Sequence, residues 1–384
     1  MTELSSNAMT ASSVSREQRN ASRDHRGSWI PTPGMIATRI MELRRRRGLM
    51  AALIAVNIGI PTIFLAIRLI AHVVAPKSYG PAGGYDIFTN LVAGVMYVFG
   101  FIVAATLGCT AGSVDLSEGM FRHLVITGRS RVALYFARIP AGLAIIVPMV
   151  AVGFTIVCAV CVFAAPAKLS YQGVTVPSGL SATGFQSWAV HHPKEAVCGL
   201  PYRARNGIPC FMDQKGKVVV PPGSSGFKHV SPATLKADAI KVAKQNYTAY
   251  THIFLYPSNL LMVKAGLWIE LEAIIGFIVG LGLASLIGQR TVSVVLMIVL
   301  EIVLTPIFSR APIQHLINFQ RGLVGLATAH LEPGGLPMAF GGGGGPGGGV
   351  SIVPETTTVA VCVIVAWLVG WTALGAWRMA TRDT

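Results

Sequence analysis

Six stretches of about 20 or more apolar residues run through this chain, each long enough to cross the hydrocarbon core of a bilayer. They are Leu49–Pro76, Thr89–Ala111, Ala133–Pro166, Val263–Ile287, Thr291–Ser309 and Thr357–Trp377. Backbone polar groups in hydrocarbon have no water to bond, so segments of this kind must be helices. The expected fold is an all-α integral membrane protein with six transmembrane helices. Composition agrees, since 52% of the 384 residues are hydrophobic and only 12% are charged, against about 25% charged in an average soluble domain. No signal-peptide apolar region precedes the first run, which is therefore expected to serve as an uncleaved insertion signal.

The net charge of +15 follows topology and is not the footprint of a nucleic-acid binder. Residues 1–48 hold nine Arg against four acids, with Arg44-Arg45-Arg46-Arg47 directly before the first run, and loop 112–138 holds four Arg against two acids. Arg378 and Arg382 follow the last run. The positive-inside rule then places both termini in the cytoplasm of a cell-membrane protein. The 167–262 segment is also basic, but loops this long translocate regardless of charge.

The same reading divides the chain into a disordered basic tail (1–28), a cytosolic stretch (29–48), spans 1–3 (49–166), an external segment (167–262), spans 4–5 (263–309), an external stretch (310–355), and span 6 with the C-terminus (356–384). Within 29–48, Met35, Ile36, Ile40 and Leu43 recur near helical spacing beside basic residues. That pattern fits either a helix lying in the interface or a plain basic anchor. In the external segment, 231–251 reads as one helix and the rest as loop and short strand. Asn246-Tyr-Thr248 matches the glycosylation sequon. Residues 313–331 read as an interfacial helix, followed by the Gly-rich linker 341–349. That linker lacks the Lys-Ser/Thr ending of a phosphate loop, and no Walker A motif occurs anywhere in the chain.

Four of the six cysteines lie in apolar runs and read as small core residues. Cys198 and Cys210 lie in the external segment, where a disulfide and two free thiols are both open readings.

The charged stretch 112–131 lies between two spans. Asp115 is placed to cap a helix and Glu118 to complete a capping box. Leu116, Met120 and Leu124 share one face, and Gly128 is a stop. A helix over 115–127, held close to the bilayer, is the expectation. Its periodicity fits a docking element and a lipid-facing helix equally.

This run, Gly-Ser-Val-Asp-Leu-Ser-Glu-Gly-Met-Phe-Arg-His-Leu-Val-Ile-Thr-Gly-Arg-Ser-Arg131, resembles the coupling-helix region of ABC-2 type transporter permeases. The C-terminal Leu-Gly-Ala-Trp-Arg378 is similar to the end of their sixth span, and the basic N-terminus and six spans match their layout. The resemblance covers roughly 49–166 and 263–380. It implies a type V exporter-like fold in which Asp115, Glu118, Gly119, Phe121, Arg122, Arg129, Ser130 and Arg131 dock on a separate ABC ATPase subunit. It also implies a second permease chain, with ATP and Mg held by the ATPase and no cofactor or metal bound by this chain. The 96-residue external segment is longer than simple permeases carry.

Ionisable residues inside spans cost about 2.5–3.5 kcal/mol at the bilayer centre on insertion scales, so each is a functional candidate. Glu301 falls near mid-bilayer in the fifth run, where it can line or gate a path or bond a neighbouring helix. Glu270 and Glu272 fall near the external end of the fourth run and point about 200° apart, so only one can face a path. Pro140, Pro148 and Pro306 are expected to kink their spans. Three functions follow: an ABC-2 permease without catalytic residues of its own, probed through its ATPase; a membrane-anchored receptor or scaffold acting through 167–262; and a secondary transporter using Glu301 as a proton site.

Overall fold

The computed structural model describes residues 29–75, 82–117, 130–165, 168–171, 174–177, 179–200, 210–212, 218–220, 227, 230–254, 256–309, 313–334, 336, 353 and 355–381. Among them, five helices are long and apolar enough to cross a membrane: Arg47–Val74, Tyr85–Val114, Arg131–Phe163, Asn259–Ile287 and Thr357–Thr381. The protein is thus an all-α membrane protein at the level of architecture.

A short helix, α1 (Pro33–Arg45), comes first. Then follow α2 (Arg47–Val74), α3 (from Tyr85 through Ser117) and α4 (Arg131–Phe163). An inserted domain separates these from α8 (Asn259–Ile287). The run predicted over 291–309 is helical as Arg290–Ile298, Val299–Leu304 and Thr305–Ser309, together α9. Two short helices, α10 (Ile317–Arg321) and α11 (Val324–His330), lead to the last long helix, α12 (Thr357–Thr381). The single helix expected over 313–331 is therefore two, because Gly322 ends α10 and Leu323 takes extended backbone (φ −80, ψ 125) before α11.

The centre of the bundle is the pair α3 and α8, brought together by facing glycines. A Cβ on Gly108 or Gly112 would collide with the backbone of α8 at Phe277 or Leu281, and one on Gly276 or Gly280 with the backbone of α3 at Phe101 or Ala105. Lipid tails are as apolar as leucine, so helices in a bilayer associate through such close backbone approach and its van der Waals contact. Around this pair pack α4, α9 and α12.

Three helices contain a π-helical stretch: Ala55–Gly59 in α2, Leu91–Met96 in α3 and Val299–Leu304 in α9. Two have a visible cause. Pro61 and Pro306 stand just beyond the first and third, and a proline ring clashes with the carbonyl four residues back, which a wider turn relieves.

The inserted domain has its own core. An antiparallel hairpin of β1 (Lys168–Tyr171) and β2 (Val174–Pro177) precedes α5 (Ala182–His191) and α6 (Pro193–Gly199). A small pairing of β3 (Phe211–Met212) with β4 (Val218–Val219) leads to α7 (Pro232–Phe254). Phe185 stacks on Tyr250 at 4.3 Å, and the Tyr250 hydroxyl donates to the Pro177 carbonyl at 2.7 Å. Cys198 and Cys210 form a disulfide within this core. Asn246 of the sequon is 1% exposed, and its amide donates to the Val242 carbonyl inside α7. That site is closed to a glycan.

Candidate functional site

Two groups of polar side chains inside the long helices stand out as candidates. The first is the root of the loop between α3 and α4. Glu118, Gly119, Phe121, Arg122 and Arg129 lie outside the described residues. Asp115 lies within the last turn of α3, which continues through Ser117. Ser130 is extended (φ −63, ψ 129) and Arg131 is the first residue of α4. Arg138 is 2% exposed and donates from Nη1 to the carbonyl of Gly112 at 3.1 Å, joining the helix before the loop to the helix after it. Arg39 of α1, ion-paired with Glu42 at 2.6 Å, lines the small crevice beside that link together with Leu43 and Ala111.

The second place is a buried carboxyl network toward the end of the bundle that bears the inserted domain. Glu301 lies in the π stretch of α9 and is 2% exposed. Its Oε1 accepts from the Tyr97 phenol at 3.0 Å, and its Oε2 lies 3.5 Å from the Thr305 hydroxyl. Tyr97 is the first residue after the π stretch of α3, so two π stretches flank this one hydrogen bond. Trp268 of α8 stacks flat on Tyr97 at 4.9 Å and donates its Nε1–H to the Thr328 carbonyl of α11 at 3.0 Å. One turn from Trp268 is Glu272, also 2% exposed. Glu272 sits near the middle of the 29-residue α8, because that helix begins at Asn259 and not at the expected Val263. Glu270 is only half-buried and faces another way, as the 200° separation requires.

The short helices α10 and α11 are seated on this network. Gly325 of α11 lies against Glu301 and Thr305 so closely that a Cβ there would occupy the space of the carboxyl oxygens. Gln320 donates to the Phe308 carbonyl at the end of α9 (2.8 Å), and Trp367 of α12 donates to the Gly322 carbonyl (2.8 Å). Just past α11, burial pushes the Glu332 carboxyl up to about 8. Among the described residues no group of three or more His, Cys, Asp or Glu is placed to hold a metal ion.

No family model, curated protein or solved structure matches the chain.

Of the acids singled out in the sequence, Glu272 and Glu301 come together and Glu270 stands apart. Sequence reasoning missed Tyr97, Trp268, Thr305, Thr328, Gly325 and Glu332, which complete the network, and Arg138 at the loop root. A polar aromatic within an apolar run was a usable signal for Tyr97 and Trp268. Gly325 and Glu332 had none, because their role exists only after α10 and α11 fold back onto the bundle.

Proposed function

We propose that this chain is the membrane-spanning permease subunit of an ABC-2 type transporter. In this reading α9 is the fifth of six spans, both termini are cytoplasmic, and the 112–131 loop receives movement from a separate ATPase subunit. One observation carries it: the buried Arg138 guanidinium clamps the two roots of that loop together. A carbonyl held by a buried, charged donor is a strong contact, worth about 1.5–3 kcal/mol, so force applied to the loop enters α3 and α4 as one body. From α3 the glycine-packed contact leads directly to α8 and thence to the carboxyl network. With no Walker A motif, this chain needs ATP and Mg on its partner; a second permease chain completes the path. The loop charges Glu118 and Arg122 belong to the proposal.

The test is to purify the chain with a candidate ATPase in lipid nanodiscs and measure hydrolysis and export. Glu118→Ala with Arg122→Ala is expected to weaken assembly or uncouple hydrolysis from export. Intact assembly and intact export together in that variant overturn the assignment.

The separate core and disulfide of the inserted domain favour a second reading, a membrane-anchored receptor or scaffold that binds its partner there. It expects deletion of residues 170–250 to abolish function while changes at 115–131 spare it.

A further inference from the structure

The carboxyl network is short of hydrogens. Tyr97, Thr305 and Thr328 each supply one O–H hydrogen. The Tyr97 hydrogen goes to Glu301. The Thr328 hydroxyl, itself fully buried, donates to the Gly325 carbonyl at 3.2 Å. The Thr305 hydroxyl has the Leu300 carbonyl at 3.3 Å and Glu301 at 3.5 Å to choose between, and the carbonyl is nearer. Two buried carboxyl groups thus present four oxygens to at most three hydrogens, and backbone carbonyls compete for two of these.

The groups facing Glu272 make the shortage acute. From α9 comes Glu301, from the residues after α11 comes Glu332, and from α11 comes the Thr328 hydroxyl; none is a cation. Oε1 of Glu272 has no hydrogen-bond partner, and neither does Oε1 of Glu332. From α3 comes the Tyr97 phenol. Arg321 and His330 face Glu355. An uncompensated charge buried this deeply costs several kcal/mol, and like charges side by side add to that. If Glu272 carries a proton, its O–H can donate to the Thr328 hydroxyl oxygen, and the Thr328 hydrogen is then free for the Gly325 carbonyl. That proton removes one of the like charges and gives the Glu272 carboxyl a hydrogen-bond partner.

We propose that Glu272, Glu301 and Glu332 form an intramembrane proton-binding site, filled from the domain-bearing end through Glu332, whose occupancy keeps α10 and α11 seated on the long helices. Glu332 connects the buried pair to the chain outside the spans, and α11 touches the network directly through Gly325 and Thr328. Loss of the protons leaves like charges beneath the backbone of α11, and the seat loosens. The site belongs to this chain whether or not an ATPase drives it, so its failure leaves the permease reading untouched and the converse also holds.

The experiment uses the full chain in lipid nanodiscs. Infrared difference spectra between neutral and alkaline buffer report the carbonyl band of protonated carboxyl groups, and hydrogen exchange of residues 317–330 reports the seating of α10 and α11. The expected result is a protonated-carboxyl band at neutral pH that shrinks in Glu272→Gln and in Glu301→Gln. Exchange of 317–330 should rise about tenfold beyond its intrinsic pH dependence as the band disappears, a change equivalent to about 1.4 kcal/mol. In Tyr97→Phe the network loses a hydrogen, and the band should persist into more alkaline buffer. That variant keeps all three acids and tests the proposal even where the glutamine variants do not fold. A neutral-pH spectrum without the band, a band unchanged in every variant, or exchange of 317–330 indifferent to its loss each overturns the proposal.

Discussion

Tyr97 and Glu301 stand 204 positions apart in the chain, and a 3.0 Å hydrogen bond from phenol to carboxyl joins them in the interior of the bundle. Each belongs to a helix whose regular winding is interrupted by a π stretch, immediately before Tyr97 and around Glu301. Such interruptions are rare and recur at functional sites. Here they set two helices so that this polar contact can form between them.

Replacing Tyr97 with Phe should therefore destabilise the protein by about 1–3 kcal/mol, the cost of leaving a buried acceptor unsatisfied. Thermal unfolding in detergent measures this, and an unchanged midpoint would show that the contact is dispensable for the fold.

The α3–α8 contact makes an opposite kind of prediction, one of volume. Gly280→Val must push a branched side chain into the Ala105 carbonyl and the Cys109 sulfur, whereas Gly94→Ala has open space. Overpacking costs typically about 1–3 kcal/mol and more where backbone must move. The expected outcome is aggregation or lost expression for Gly280→Val and wild-type behaviour for Gly94→Ala on size-exclusion chromatography.

Arg138→Met keeps the length of the side chain and removes the bond to Gly112. In the permease reading, basal ATP hydrolysis by the assembled complex should survive while export falls at least several-fold. Export equal to wild type would separate the loop roots from the coupling path.

Glu332 gives the protein a pH dependence with a definite sign. Its carboxyl lies at about 8 in the folded chain against an ordinary 4.5. Between those values the folded state holds a proton that the unfolded state has lost, so stability falls as pH rises, by up to about 1.4 kcal/mol per unit. Below about 4.5 both states are protonated and the full stability remains. Melting temperatures across that window should decline in the wild type and decline less in Glu332→Gln.

Reduction should act on the inserted domain alone. A disulfide closing a loop of 12 residues contributes about 3 kcal/mol on chain-entropy grounds. Cys198→Ser should expose residues 182–254 to limited proteolysis while the long helices stay protected. Equal protection of both regions would show that the core around Phe185 suffices without the bond.

The apolar runs made the helices legible, since a bilayer admits little else, and Cys198 and Cys210 made a disulfide one of two readings. Glu301 was legible for its cost. What the sequence hid was relational. Glu272 was assigned near a helix end because the span was expected to begin at Val263, whereas Ser258 accepts from the Leu261 amide and starts the helix four residues earlier. The glycines of α3 and α8 looked like ordinary small residues until their partner backbones were in place. The break at Gly322, which lets α11 turn back over Glu301, depended on what lies beneath it.

The glycine-packed pair at the centre has a consequence for synthesis. Gly108 emerges from the ribosome roughly 170 residues before Phe277, and at about 5–20 residues per second the delay is on the order of 10–30 s. Through that interval α3 must remain in the membrane with its small-residue face open to lipid or to an insertion factor, while the inserted domain is made and oxidised. The architecture thus sets an order of assembly, in which the middle of the molecule is completed only after its largest appendage has been delivered.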